Sequence, residues 1–215
     1  RRIGANGLEA PSLLPLPGLP AKLAKDDALA ATLSPDGQVL ALSDGEQTRL
    51  LALPGGTLLH TLDDVPWYAT QAFSPDGKTL LAYGSGIPGH QVLRWDVRSG
   101  KPLPPLEGHT ANVNTLAVSA DGQHIATGAN DRNLRIWNAA DGSLAAVLGL
   151  FGEQGWVVVS GDGYFDAAPA LAEEALMVRL GDDWFDVSPV GPHRLRFHKP
   201  DLVRRALQGP LPPAR

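Results

Sequence analysis

Along most of this chain the apolar residues fall on alternate positions in short runs, and each run stops at Gly, Asp or Pro. Three segments show the pattern at its cleanest: "LSPDGQVLAL" (33–42), "FSPDGKTLLA" (73–82) and "VSADGQHIAT" (118–127). Each reads as an apolar strand end, an Asp-Gly turn and a second apolar strand. Alternation at period two between turn residues predicts antiparallel hairpins. Asp-Gly suits the turn because it tolerates the positive φ angles that tight hairpins require. Helical periodicity at 3.6 residues is weak across the same region.

The pattern repeats at a larger scale. The turn glycines Gly37, Gly77 and Gly122 lie 40 and 45 residues apart. A second landmark follows each: Leu51, Trp95 and Trp137 share one position, 44 and 42 residues apart. After each comes another glycine turn (Gly56, Gly100, Gly142) and a fourth short strand. The unit is therefore four strands in roughly 40–45 residues, present three times, which is the period of a propeller blade.

The third copy holds the most specific set: Gly108-His109, then Thr127, Asp131 and Trp137. On these residues, segment 106–148 resembles a WD repeat, and 25–150 resembles three in tandem. The resemblance implies that His109, Thr127, Asp131 and Trp137 form a structural hydrogen-bond network inside the blade. The chemistry suits that role. A buried indole N–H needs an acceptor, which a threonine hydroxyl supplies. The hydroxyl can donate to imidazole, and the other ring nitrogen to a carboxylate, which fixes the tautomer. The other copies depart from this set. Trp95 and Asp96 survive in the second, but Ala82 replaces the hydroxyl and Asp63 or Asp64 stands near the histidine place. In the first, Leu51 and Leu42 replace tryptophan and hydroxyl, so those two blades are expected to rely on apolar packing alone.

The expected fold class is all-β: a partial β-propeller of three four-stranded blades, one degenerate fourth blade and a short C-terminal helix. Residues 1–20, rich in Pro and Leu, read as a linker or edge strand, and 21–150 as the three blades. Residues 151–190 read as the eroded blade, with Trp156 to Ser160 as its inner strand, Tyr164 to Ala167 as the next, and two more around Gly181-Asp182-Asp183. Leu180 then sits near the tryptophan position. Residues 191–215 form a basic tail in which Pro200 opens a helix that ends at Gly209-Pro210. Segment 155–207 is also similar to the tail that follows WD repeats in some bacterial multidomain proteins, several with a caspase-like peptidase domain.

Composition narrows the chemistry. There is no cysteine among the 215 residues, so thiolate nucleophiles, disulfides and cysteine-based zinc sites are excluded. The formal charge of −5 gives no global reason to expect nucleic acid as partner. No apolar run reaches membrane-span length. The chain opens on Arg1-Arg2 rather than Met, which reads as a processed form or a fragment. His193 and His198 lack nearby carboxylates other than Asp201 and read as solvated or interface groups rather than metal ligands. "GDGYFD" (161–166) lacks the full frame of a calcium loop and reads as a hairpin turn. "GSGIPGH" (84–90) is no phosphate loop and reads as a lengthened connection in the second blade.

The expectation is thus a non-enzymatic scaffold for protein partners, with no cofactor, no metal and no catalytic residue. Three or four blades fall short of a usual ring, so another chain or the rest of a parent polypeptide is expected to complete it. The candidate contact residues are Trp67, Tyr68, Asn112, Asn114 and Arg132 at loop positions, with Arg194, Arg196, Arg204 and Arg205 on the basic tail, because Trp, Tyr and Arg dominate protein interfaces. The alternative is the regulatory or sensing section of a larger bacterial enzyme such as a caspase-like peptidase. The expected compartment is the cytoplasm, with the periplasm as the other option.

Overall fold

The computed structural model of the chain describes residues 3–4, 7–8, 30–43, 47–62, 69–150, 155–168, 176–179 and 187–208. At the start, β1 (Ile3–Gly4) pairs with β2 (Gly7–Leu8); the rest of the expected linker lies outside the described residues. Each sequence repeat then folds into its own antiparallel sheet of consecutive strands. The first holds β3 (Ala30–Leu33), β4 (Val39–Ser43), β5 (Thr48–Ala52) and β6 (Thr57–Leu62). The second holds β7 (Thr70–Phe73), β8 (Thr79–Tyr83), β9 (Val92–Asp96) and β10 (Pro102–Leu106). The third begins with β11 (Val113–Val118), β12 (His124–Ala129), β13 (Asn133–Asn138) and β14 (Leu144–Leu150).

The first hairpin of each sheet is built the same way. Ser34, Ser74 and Ser119 donate from Oγ to Oδ1 of Asp36, Asp76 and Asp121 at 2.7, 2.7 and 2.6 Å. The same hydroxyls accept the backbone N–H of Val39, Thr79 and His124 at 2.9, 3.0 and 2.9 Å. Only the glycine of each turn is left-handed, with φ of 71°, 70° and 70° at Gly37, Gly77 and Gly122. The turn therefore needs one positive φ rather than two, as a hairpin loop with a glycine bulge does. The aspartate contributes its carboxylate, which also accepts the N–H of Gln38, Lys78 and Gln123.

Strand register explains how the sheets stack. Leu51 pairs with Leu40, Trp95 with Leu80 and Trp137 with Ile125, so the three occupy one place in the unit. Trp95 packs with Ala41 and Leu50 of the first sheet, and Trp137 with Leu81 and Val92 of the second. Successive strand residues point to opposite faces. Leu80 and Ala82 accordingly pack toward the first sheet while Leu81 packs toward the third. Leu80, Leu81 and Ala82 are all fully buried, and each such leucine contributes about 1.5–3 kcal/mol. Face-to-face stacking of four-stranded sheets is the packing of propeller blades. The fold is all-β, a partial propeller.

The region after the third repeat differs from the expected separate blade. β15 (Trp156–Ser160) pairs antiparallel with β14, Val159 opposite Val147, and β16 (Phe165–Ala168) pairs with β15. They extend the third sheet to six strands. A separate two-stranded ladder joins β17 (Met177–Arg179) to β18 (Val187–Pro189). Leu180 and the turn Gly181-Asp182-Asp183 lie outside the described residues. Two helices follow, α1 (Arg194–Phe197) and α2 (Pro200–Leu207). Helix α2 lies against β14, β15 and β16 and buries Val203.

Candidate functional site

The polar core of the third sheet runs through four side chains. His109 sits in the connection before β11, Thr127 on β12, Asp131 in the β12–β13 turn and Trp137 on β13. Trp137 Nε1 donates to Thr127 Oγ1 at 2.8 Å. That hydroxyl lies 2.8 Å from His109 Nε2, and His109 Nδ1 lies 2.8 Å from Asp131 Oδ2. Because the Asp131 carboxylate can only accept, Nδ1 carries the hydrogen donated to it, and Nε2 of the neutral imidazole accepts the Thr127 hydroxyl proton. Asp131 also accepts the backbone N–H of Thr110 and Asn133 at 3.1 and 3.0 Å. Burial pushes the Asp131 carboxyl up, but the bonds from His109, Asn133 and Thr110 outweigh it and the net shift is downward.

His109, Thr127 and Trp137 are buried. With its proton committed to His109, the Thr127 hydroxyl is held as a hub, and the chain of bonds fastens the loop before β11 to the blade. Arg135 lies over the Trp137 ring at 5.9 Å. Gly108, at φ 139°, clears it: a Cβ there would stand 2.7 Å from Arg135 Nη1.

Polar ties also cross between sheets, and these were not legible in the repeat pattern. Gln71 Nε2 donates to Thr48 Oγ1 at 2.9 Å, joining the second sheet to the first. Arg94, 2% exposed, points toward the third sheet from β9. It donates to the carbonyls of Pro104 and Ala139 at 2.9 and 2.7 Å. Burial pushes its pKa down, opposed by the charge of Asp141. The one signal in the sequence was a charged residue where the register equivalents are Leu50 and Ile136.

The loop candidates divide into groups. Trp67 and Tyr68 lie outside the described residues. Asn112, Asn114 and Arg132 cluster at one end of the second and third sheets. Asn112 Oδ1 meets His90 Nδ1 at 2.9 Å, Asn114 bonds the side chain of Asn130, and Arg132 is exposed with φ 66°. Segment 84–90 forms the β8–β9 connection at that same end. The tail residues Arg194, Arg196, Arg204 and Arg205 are exposed on α1 and α2, away from that cluster. Arg204 pairs with Asp201 at 3.0 Å, and Arg196 stacks on Phe197 at 5.0 Å. His193 meets Ser188, and His198 packs on Phe165 beside Asp166. Among the described residues no group of three or more His, Cys, Asp or Glu is placed to hold a metal ion. None of their helices is long and apolar enough to cross a membrane.

Stacked four-stranded sheets with a His–Thr–Trp–Asp network define an array of propeller blades. Residues 100–138, which carry that network, match the family described as WD domain, G-beta repeat. The chain is similar to Periodic tryptophan protein 2 homolog of Dictyostelium discoideum, 38% identical over 94 residues, 43% of this chain and 10% of that protein. It is similar to an uncharacterized WD repeat-containing protein of Synechocystis sp., 33% identical over 123 residues, 55% of this chain and 34% of that protein. Across these relatives it spans between a tenth and a third of their length. The solved WD40 repeats of RRP9 cover 66% of this chain, and 48% of their own length, at 20% identity and a TM-score of 0.49.

Proposed function

We propose that this protein is a non-enzymatic scaffold for protein–protein interaction, whose blades are completed into a ring by another chain or by the rest of a longer polypeptide. One observation carries the reading. On the outer face of the first sheet Leu33, Leu40, Leu51 and Leu58 form a cross-strand row, in which Leu51 is fully buried while Leu33 is 52% and Leu58 49% exposed at the two ends. On the outer face of the third sheet Leu134 stands opposite Leu148, and Leu148 opposite Val158. The outer face of the third sheet, where Leu134 is 37% exposed, therefore offers the kind of surface that a further blade covers between the sheets. Rings close with about 4 to 8 blades.

The partner is taken to be protein, since the net charge of −5 disfavours phosphate backbones. Asn112, Asn114, Arg132 and the arginines of the tail are the contact candidates, and the His109–Thr127–Asp131–Trp137 network is assigned the structural role of holding the loops rigid. The cytoplasm of a bacterium is the proposed setting. The test is sedimentation of the chain with and without Leu134→Asp, beside affinity purification from the native organism. Self-association or a co-purifying chain, abolished by L134D, is the expected result. A monodisperse monomer with no co-purifying protein sinks the reading. A second reading is the sensing section of a larger enzyme such as a caspase-like peptidase; a Cys/His-bearing α/β domain encoded upstream would decide for it.

A further inference from the structure

The end of the stack opposite the loop cluster is acidic and concave. The Asp-Gly turns of the second and third sheets and helix α2 enclose an open groove of ≈ 1240 Å³. That exceeds the size of a small-molecule pocket, about 300–1,000 Å³. Its floor is apolar: Leu103, Val118, Leu144 and Leu202 line it, each half-buried. Its rim carries Asp76, Asp96, Asp141 and Asp162 against two cations, Lys78 and Arg205.

The rim charges are fixed by neutral donors. Asp76 takes the Ser74 hydroxyl at 2.7 Å. Asp96 takes the Ser99 N–H at 2.8 Å, and Asp141 the Ser143 hydroxyl at 2.7 Å. Hydroxyls and amides hold a carboxylate without cancelling its charge. In Asp76 and Asp96 the serine hydroxyl is the leading cause of a lowered carboxyl pKa, and in Asp141 the Ser143 N–H is. Asp76 meets Lys78 at 3.4 Å, and the charges of Arg98 and Arg94 act on Asp96 and Asp141 as lesser causes. Asp76, Asp96 and Asp141 are thus held as carboxylates at the rim.

We infer that this groove binds a basic amphipathic segment of a protein partner, its apolar side chains on the floor between Leu103 and Leu202 and its Lys or Arg side chains at Asp96, Asp141 and Asp162. The apolar floor requires apolar side chains, and the acidic rim repels phosphate, so nucleic acid and anionic lipid do not fit. The inference rests on the scaffold reading and adds a second surface to it, with the chemistry of its partner. It does not depend on ring closure.

The test uses the full chain and two labelled synthetic peptides, one alternating leucine with lysine and one alternating leucine with glutamate, followed by fluorescence anisotropy. Asp96→Asn with Asp141→Asn removes two charges while keeping Oδ1 as acceptor for the serine contacts. Leu103→Lys places a cation on the floor. Melting curves report whether each variant is folded, and the two variants act on different strands, so failure of one leaves the other informative. The leucine–lysine peptide is expected to bind saturably and to weaken about five- to tenfold in D96N/D141N, the loss two exposed ion pairs give. L103K is expected to weaken it as well, and added salt too. Equal binding of both peptides, no saturable binding, or binding unchanged in both folded variants overturns the inference. L134D, which tests ring closure, leaves this binding in place, so the two proposals fail separately.

Discussion

Arg94 Nη1 donates at 2.7 Å to the carbonyl oxygen of Ala139, 45 residues further along the chain. The contact joins the second sheet to the turn between β13 and β14 of the third. A buried guanidinium here supplies a fork of donors to two backbone carbonyls. Arg94→Ala removes the charged donor from both part-buried bonds, and a hydrogen bond to a charged group is worth about 1.5–3 kcal/mol. Urea unfolding of R94A is expected to show a loss of about 3 kcal/mol, with R94K retaining part of it because one ammonium can reach only some of the acceptors.

Gly142 faces the same arginine from the other side. Its φ is 81°, and a Cβ there would stand 2.8 Å from Arg94 Nη2. Gly142→Ala combines a left-handed alanine with displacement of the guanidinium, about 1–3 kcal/mol. In R94A the steric part disappears. A double-mutant cycle by chemical denaturation is expected to give a smaller cost for G142A in the R94A background.

Thr127 is the hub of the third sheet. Thr127→Val keeps the shape and removes the hydroxyl, leaving the Trp137 indole N–H and one His109 nitrogen without partners. The expected loss is about 2–4 kcal/mol, with a shift in Trp emission in the folded state. Thr127→Ser keeps the hydroxyl and is expected to lose about 1 kcal/mol for the methyl group. Equal losses in the two variants would show that packing, not hydrogen bonding, holds the loop.

The repeated serine–aspartate turns set the acid limb of stability. The carboxyls of Asp36, Asp76 and Asp121 are lowered from 3.8, first by the hydroxyls of Ser34, Ser74 and Ser119. A depressed folded pKa means that the unfolded chain binds protons first as pH falls. The stabilisation is therefore present above the unfolded value near 3.8 and is lost as pH drops through the lower folded values. The triple variant D36N/D76N/D121N is expected to flatten the dependence of the melting temperature on pH below about 4, by lowering the melting temperature at neutral pH, where this stabilisation is otherwise fully present, more than at acid pH.

Val203 fastens α2 to the extended third sheet. Val203→Asp is expected to undock the helix rather than bury the charge, with loss of the roughly 1.5–3 kcal/mol that a buried valine contributes. Limited trypsin digestion is expected to cut faster at Arg204 and Arg205 while the sheets stay protected.

The local architecture was legible in the sequence because it is written in short range. Period-two alternation and glycine turns fix each hairpin, and the spacing of Gly37, Gly77 and Gly122 fixes the blade. The equivalence of Leu51, Trp95 and Trp137 follows from the same spacing and appears in the register. The network of His109, Thr127, Asp131 and Trp137 is spaced so that one blade brings its members together. Three features were decided only in three dimensions. Which strand edge β15 joins depends on the open edge of β14, and nothing in the residues 156–160 names it. The reach of Arg94 to Ala139 depends on the stacking of two sheets that share no sequence signal with each other. The acidic groove exists because separate turns, each ordinary alone, converge at one end of the stack beside α2. Hairpin geometry is a matter of neighbouring residues, whereas a groove or a tie between sheets arises from how whole sheets are placed, and side-chain pattern along a strand does not encode that placement.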